Sequence, residues 1–244
     1  MCKGGKNMAF QAVFQRHELK YILTKEQKES VLQAIQPYMS LDQYGRTTIQ
    51  NIYFDTENYR LIRRSIEKPD YKEKIRIRSY ANHNTDNLVF VELKKKYQKV
   101  VYKRRLSMSE ETAICWLTGE CSCEMDSQIA REIEYFLSYY GKLKPSLFLS
   151  YEREAYYCKD GMDFRITFDE NVRCRQELMT FQKHANGIPI LENNKTLMEI
   201  KCSGGMPLWM AEILSREKIY KTSFSKYGTA YRNIIYPQLK GEQI

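Results

Sequence analysis

Charged side chains recur at intervals of two or four residues in several segments of this sequence. A β-strand turns alternate side chains to opposite faces, so charges with this spacing share one face of a strand. The residues between them are apolar, as Ile75 and Ile77 are between Lys74, Arg76 and Arg78. The same spacing occurs in Glu18 and Lys20; Glu92, Lys94 and Lys96; Lys103 and Arg105; Arg165 and Asp169; Glu199 and Lys201. This pattern predicts a sheet with one charged face and one apolar face.

Eight segments are predicted to be strands from their alternation and their β-branched and aromatic content, namely 13–23, 47–54, 72–80, 87–97, 99–107, 145–158, 162–172 and 196–202. Turn-forming residues at 84–87 and at 159–161 favour antiparallel hairpins. Helical periodicity predicts helices at 25–37, 109–118, 126–140, 207–215 and 225–236. We therefore predict an α+β fold, with a flexible N-terminus over 1–9 followed by a single domain over 10–240.

The charges favour an anionic partner. Lysine and arginine together number 39 against 30 for aspartate and glutamate, which gives a net charge of +9. For any one strand, an ordinary solvent-facing side would explain the charges. Over six strands that explanation weakens, because like charges opposite one another destabilise a sheet. If the sheet curls with its charged faces inward, the cations converge on an enclosed channel that suits a polyanion.

Three carboxylates stand among these cations in a regular way. Glu18, Glu92 and Glu199 each precede a lysine by two residues, so each would lie beside a cation on the same face. Magnesium and manganese prefer carboxylate and phosphate oxygens. The three glutamates are therefore candidate ligands for Mn²⁺ or Mg²⁺ beside a bound triphosphate. The alternative is that they only neutralise the neighbouring lysines.

The cellular setting is also constrained by the sequence. Seven scattered cysteines in a chain of 244 residues indicate reduced thiols. The N-terminus lacks the apolar run of a signal peptide, and no stretch approaches the length needed to span a bilayer. We expect a cytoplasmic protein.

Seven short blocks carry a resemblance to a known family. In chain order they are RHELKY at 16–21, KIRIR at 74–78, VELK at 91–94, YERE at 151–154, FRITFD at 164–169, MEIK at 198–201 and SKYG at 225–228. They resemble the catalytic domain of the vacuolar transporter chaperone (VTC) polyphosphate polymerases. That family belongs to the CYTH, or triphosphate tunnel metalloenzyme, superfamily. The resemblance implies an eight-stranded antiparallel β-barrel that forms a triphosphate tunnel, with helices packed outside.

The resemblance also implies roles for individual residues. It makes Glu199 the principal metal ligand, with Glu18 and Glu92 as further candidates. It places Lys226 at a mouth of the tunnel. The residues expected to bind and activate phosphate are Lys20, Arg76, Arg78, Lys94, Arg153 and Arg165, with Lys103, Lys201 and Lys226 as further substrate-binding residues.

Three functions remain open at this point. The resemblance implies an ATP-dependent polyphosphate polymerase, in which the end of a phosphate chain attacks the γ-phosphate of ATP. A triphosphatase would use the same cations with water as the nucleophile. A non-catalytic polyanion binder is the third, although carboxylates among the cations would repel nucleic acid, so no nucleic-acid partner is expected. The expected ligands are ATP or another triphosphate and polyphosphate. A membrane-protein partner that takes the product is a further candidate.

Overall fold

A computed structural model describes residues 17–80, 88–98, 100–181 and 186–241. The strands are β1 (His17–Thr24), β2 (Met39–Leu41), β3 (Thr47–Asp55), β4 (Tyr71–Tyr80), β5 (Leu88–Tyr97), β6 (Val100–Ser109), β7 (Lys144–Cys158), β8 (Phe164–Arg175), β9 (Ile188–Pro189), β10 (Lys195–Cys202) and β11 (Lys221–Thr222). The predicted flexible terminus at 1–9 and the predicted turn at 84–87 lie outside the described residues.

The helices are α1 (Lys25–Ile35), α2 (Arg60–Ile66), α3 (Glu110–Thr118), α4 (Gln128–Tyr140), α5 (Leu208–Arg216), α6 (Lys226–Ala230) and α7 (Tyr236–Gly241), with a π-helical turn (Tyr231–Ile235) between the last two. Local capping explains where several of them begin. Thr24 and Gln27 form a reciprocal capping box at the start of α1. Ser109 and Ser127 cap α3 and α4 through their hydroxyl oxygens.

All strand pairs are antiparallel. The hydrogen-bonded order is β11-β1-β10-β8-β7-β3-β4-β5-β6, with β2 paired to β7 and β9 paired to β8. The predicted α+β class is confirmed, and each of the eight predicted strands is present. The predicted strand number was wrong, because three additional strands of two or three residues bring the sheet to eleven strands within the described residues.

The sheet curls without closing through backbone hydrogen bonds. Across the described residues, the strand order ends at β11 on one side and at β6 on the other. Side chains nevertheless meet between strands that are far apart in this order. Lys94 on β5 lies 3.4 Å from Glu18 on β1, and Lys74 on β4 donates a hydrogen bond to Ser225 at 3.3 Å. The predicted barrel is therefore an open sheet whose far sides are joined by side chains.

The apolar face of the sheet is covered by helices, as predicted. Ile75, Ile77 and Leu93 are fully buried in a cluster that includes residues of α3 and α4. On the other half of the sheet, Ile166 and Ile200 are buried in a cluster with residues of α1 and α5. Burial of this apolar surface stabilises the fold. Its second consequence is that the charged faces of the same strands must point to the concave side.

One end of the concave side is filled by a third cluster and by the C-terminal helices. Tyr53, Leu149 and Leu197 pack there with Tyr227 of α6. The Asp55 carboxylate at the end of β3 accepts hydrogen bonds from the backbone of Leu61 and Ile62 and from the Tyr227 hydroxyl. Asp55 thus joins β3, α2 and α6. This contact fixes the position of Lys226, the residue that precedes Tyr227.

Candidate functional site

The concave side of the sheet, together with Lys226, forms a surface that we call the charged interior. Its cations outnumber its carboxylates. The cations are Lys20, Lys72, Lys74, Arg76, Arg78, Lys94, Lys96, Lys103, Arg105, Arg153, Arg165, Lys201 and Lys226, and the carboxylates are Glu18, Glu92, Asp169 and Glu199. Every site residue predicted from the sequence belongs to this set.

The most buried part of the charged interior is a set of four residues that we call the paired cluster: Arg153, Asp169, Glu199 and Lys226. Asp169 is fully buried, and Arg153 donates to its two carboxylate oxygens at 2.5 and 2.6 Å. Lys226 contacts Asp169 at 2.5 Å and Glu199 at 3.5 Å. Burial alone would raise the pKa of Glu199, but Lys226 and the neighbouring cations hold it well below its usual range. These charges are therefore fixed in place before any ligand binds.

Lys226 lies deeper than predicted. Its side chain is only 9% exposed, and its ammonium group lies over the Tyr151 ring, 4.4 Å from the centroid. The expectation that it stands at a tunnel mouth was wrong. The reason is that α6 packs into the end of the concave side through Tyr227, and so directs the preceding lysine inward.

Lys20 connects the paired cluster to Glu18. Its ammonium nitrogen lies 3.3 Å from a carboxylate oxygen of Glu18 and 3.3 Å from one of Glu199. It also donates to the Phe224 carbonyl at 3.0 Å. Burial works to lower the pKa of Lys20, but Glu199 and Glu18 outweigh it and raise the pKa. Two carboxylates predicted to bind metal are thus brought to the same cation.

The third predicted metal ligand, Glu92, lies elsewhere. Arg76 and Arg105 stand directly opposite it on the two neighbouring strands, and Arg76 donates to it at 2.7 and 3.0 Å. Lys103 contacts it at 2.7 Å, and Arg105 also donates to it. No ion pair joins Glu92 to Lys94 among the described residues, because these cross-strand neighbours are nearer than the residue two positions along. Glu92 therefore has cationic partners on both neighbouring strands. Its role as a metal ligand stays a prediction.

Two arginines predicted to bind phosphate are oriented by the neighbouring strands. Arg76 donates to the Tyr53 hydroxyl at 2.9 Å, and Arg78 donates to the Asn51 side-chain oxygen at 2.9 Å. Arg78 also donates to the Tyr151 hydroxyl at 3.3 Å. These contacts hold the two guanidinium groups on the concave side. Their fork geometry suits phosphate oxygens.

A second set, which we call the lysine row, consists of Lys72, Lys74 and Lys96. Lys74 stands opposite Lys94 in the strand register, and Lys72 stands opposite Lys96. Among the described residues, none of the three lysines is joined to a carboxylate by an ion pair. Burial, followed by the positive charges of Lys94 and the other nearby cations, lowers the pKa of Lys74 to about 7. The lysine row is therefore not paired with carboxylates, and burial and like charges cause Lys74 to lose its proton near neutral pH.

Two polar atoms of β8 are buried without a hydrogen-bond partner in the described part of the chain. They are the Nε of Arg165 and the hydroxyl oxygen of Thr167. Thr167 is fully buried and stands opposite Glu199 in the strand register. A buried polar group without a partner destabilises a fold by about 1–3 kcal/mol. Two such atoms on the face that carries Asp169 indicate a place for a polar ligand or water.

The arrangement of carboxylates can be tested against the requirements of a divalent metal. Nowhere in the described ranges do three or more His, Cys, Asp or Glu side chains form a group that could hold a metal ion. Glu18 and Glu199 lie around one ammonium group, so they could supply two carboxylates but not a complete protein shell. Mg²⁺ is often bound by one or two carboxylates together with substrate phosphates and water. The residues present fit that kind of site.

Six residues of this site had no role assigned from the sequence. Lys74, Lys96, Arg105 and Asp169 were recognised only as part of the alternating pattern, and Lys72 and Thr167 were not singled out. Lys74 and Arg105 carried a usable signal, because they continue the cationic alternation of their strands. Thr167 carried none, because the missing partner of a hydroxyl becomes visible only in three dimensions.

Comparisons with known structures agree with this architecture. A proposed adenylate cyclase from Bacillus halodurans has a TM-score of 0.55 at 15% identity, and the match covers 91% of this chain and 97% of that one. A proposed adenylyl cyclase from Hippeastrum, described as having a dominant triphosphatase activity, has a TM-score of 0.51 at 17% identity, covering 88% and 94%. Among curated proteins, no sequence matched this chain. At these identities the structural likeness establishes the fold.

The fold is the one shared with these structures, an antiparallel sheet with helices outside, and it surrounds the charged interior. The sequence profile of the VTC domain family matches residues 15–235. This chain belongs to the VTC domain family. In the described ranges, no helix is both long and apolar enough to cross a membrane.

Proposed function

We propose that this protein is a metal-dependent phosphoryl-transfer enzyme that acts on triphosphate, and that its reaction is ATP-dependent synthesis of inorganic polyphosphate. The observation that carries the proposal is the excess of cations over carboxylates in the charged interior. A buried surface of this kind is stabilised when an anion with several charges occupies it. Membership of the VTC family supports the polyphosphate product.

The roles of the residues follow from their contacts. Arg76, Arg78 and Arg165 would bind phosphate oxygens, and Arg165 has a buried Nε available for this purpose. Glu199, with Glu18, would hold Mn²⁺ or Mg²⁺ together with phosphate oxygens. The metal ion would neutralise charge on the phosphate oxygens near the bond that breaks. Arg153 and Lys226, fixed by Asp169, would supply positive charge that needs no reorganisation during the reaction.

The remaining predicted residues lie where they can contact a bound phosphate chain. Lys20 is placed between the two metal-binding candidates, and Lys201 contacts Glu199 at 3.6 Å. Lys94 and Lys103 are partly exposed and project from neighbouring strands that face each other in register. We assign all four to the binding of phosphate.

The carboxylates of the charged interior stay ionised. Burial works to raise the pKa of Asp169, Glu92 and Glu199, but nearby cations hold it below the usual range. The terminal oxygen of a phosphate chain is also ionised, so it needs no base in order to act as the nucleophile in polymer synthesis.

The test is to incubate the purified protein with ATP and either Mn²⁺ or Mg²⁺ and to analyse the products. Synthesis predicts a polymer that an exopolyphosphatase degrades, with one ADP released for each phosphate incorporated. Arg76→Ala is expected to abolish product, whereas Lys142→Gln, an exposed change outside the charged interior, is expected to retain it. Release of orthophosphate without polymer would overturn synthesis and support a triphosphatase, the activity described for the Hippeastrum protein. No turnover with any triphosphate would overturn both.

A further inference from the structure

A cavity of about 630 Å³ lies at one end of the lysine row. Its lining includes Lys68, Lys72 and Lys96, together with Pro69, Asp70, Gln98 and Ser223. None of these residues was assigned to the site from the sequence, and none belongs to the paired cluster. We call this cavity the mouth pocket.

The mouth pocket is continuous with the charged interior. Lys72 and Lys96 face each other in the register of β4 and β5, and the next pair inward on the same face is Lys74 and Lys94. The opposite wall is also continuous, because Ser223 lines the pocket and Ser225, two residues later, accepts a hydrogen bond from Lys74. The pocket therefore lies beside the next pair of cationic side chains on the same face of β4 and β5.

The charge of the mouth pocket is not balanced by the protein. Asp70 is the one carboxylate residue in its lining, and within the described residues no ion pair joins Asp70 to Lys68, Lys72 or Lys96. Burial, together with the charges of Lys96, Lys68 and Lys94, lowers the pKa of Lys72. Like charges brought together in this way repel one another. An anion in the pocket would remove that repulsion.

The distance along β4 favours an anion longer than triphosphate. Lys72 lies four residues from Arg76, and the Cα atoms of residues four apart in a strand are separated by about 13 Å. A triphosphate is shorter than this separation. A phosphate chain with more units, held in line along the strand, matches it more closely.

We infer that the mouth pocket is a separate binding subsite for condensed phosphate, which takes the units of a chain beyond the three bound at the arginines. This inference rests on the proposed function, because it assigns the phosphate-chain ligand of the same interior. It identifies Lys72 and Lys96 as residues that determine preference for chain length.

The test compares the affinities of the protein for two ligands, inorganic triphosphate and a size-fractionated linear polyphosphate. The variant is the double substitution Lys72→Gln and Lys96→Gln. Loss of two charge-assisted contacts is expected to weaken polyphosphate binding by about tenfold or more. Triphosphate affinity is expected to change less than threefold, and this also shows that the variant is folded. The control is Lys25→Gln with Lys142→Gln, which removes the same charge from exposed positions.

The outcomes separate the inference from the proposed function. A loss confined to polyphosphate supports the mouth pocket. Equal loss for both ligands, or an equal loss in the control, would show general electrostatic attraction and overturn it. Unchanged polyphosphate affinity would also overturn it, while leaving the proposed function intact. Failure of the wild-type protein to bind either ligand would instead count against the proposed function itself.

Discussion

The paired cluster and the lysine row are both cationic, but they differ in how their charge is balanced. In the paired cluster, Arg153 and Lys226 contact a fully buried aspartate. In the lysine row, no carboxylate forms an ion pair with Lys72, Lys74 or Lys96 among the described residues. Nearby carboxylates raise the pKa of Lys226 despite its burial, whereas burial and like charges lower that of Lys74.

This difference indicates two uses of positive charge. Internal pairing fixes side chains in one geometry, which suits the positioning of reacting groups. Lysines without a carboxylate partner repel one another, and a bound anion relieves that repulsion. Phosphoryl transfer along a polymer requires both, since the reacting phosphates must be oriented while the remainder of the chain is only retained. The following experiments test the distinction, in order of expected effect.

The largest effect is expected from Asp169→Asn. Removing this charge leaves Arg153 and Lys226 buried with one carboxylate, Glu199, which contacts each of them at 3.5 Å. Breaking a buried pair in this way destabilises a protein by about 3–5 kcal/mol. The free energy of unfolding, measured in urea, should fall by about 3 kcal/mol. A fall of less than about 1 kcal/mol would show that the paired cluster is not fixed by its internal charges.

A pH-dependent effect is expected from Lys74. The pKa of its amine is about 7 in the folded protein, against an ordinary value of 10.5. Between these values the unfolded chain binds a proton that the folded protein does not, so this group makes stability rise with pH from about 7 to 10.5. Lys74→Met should flatten that rise and stabilise the protein by about 2 kcal/mol at pH 6. A pH profile of unfolding identical to that of the wild type would contradict the assignment.

Two smaller effects are expected from Thr167→Val: a higher free energy of unfolding and a lower kcat. Valine has nearly the same shape and removes the unpartnered hydroxyl, so the free energy of unfolding should rise by up to about 1 kcal/mol. If the hydroxyl contacts a bound phosphate or its water, kcat should fall by about tenfold. Thr167→Ser, which keeps the hydroxyl, is the matched control. Loss of stability in the valine variant would show that the hydroxyl already has a partner.

The smallest effect on stability is expected from Lys96→Gln. Because no carboxylate pairs with Lys96 in the described part of the chain, the free energy of unfolding should change by no more than about 0.5 kcal/mol. Thermal unfolding with and without polyphosphate completes the test, since stabilisation by the ligand should be smaller in the variant. If Lys96→Gln instead lost as much stability as Asp169→Asn in the absence of ligand, the lysine row and the paired cluster would not differ in how they contribute to stability.

The strands were predictable because alternation is a property of the sequence itself. The helix Arg60–Ile66 was missed because its start signal is not local. Its first turn is capped by Asp55, and the residue before it, Tyr59, has a positive φ of 57° and makes no side-chain cap. The three extra strands were missed because two or three residues are too few to show a period.

The content of the charged interior was predictable, but its pairing was only partly so. Glu18 with Lys20 and Glu199 with Lys201 are in contact, as their spacing on one strand indicates. Glu92 pairs instead with residues on β4 and β6. Partners of this kind depend on which strands are neighbours, and the spacing of residues along the sequence does not show that. The same limit explains the position of Lys226, which depends on how α6 packs.

The contact between Glu18 and Lys94 has a mechanical consequence. These residues lie on strands that are far apart in the sheet order, and among the described residues no backbone hydrogen bonds pair these two strands. The width of the concave side therefore depends there on side-chain rotamers, and elsewhere on the backbone hydrogen bonds between strands. The charged interior can therefore widen or narrow when an anion binds, without breaking any backbone hydrogen bond between strands.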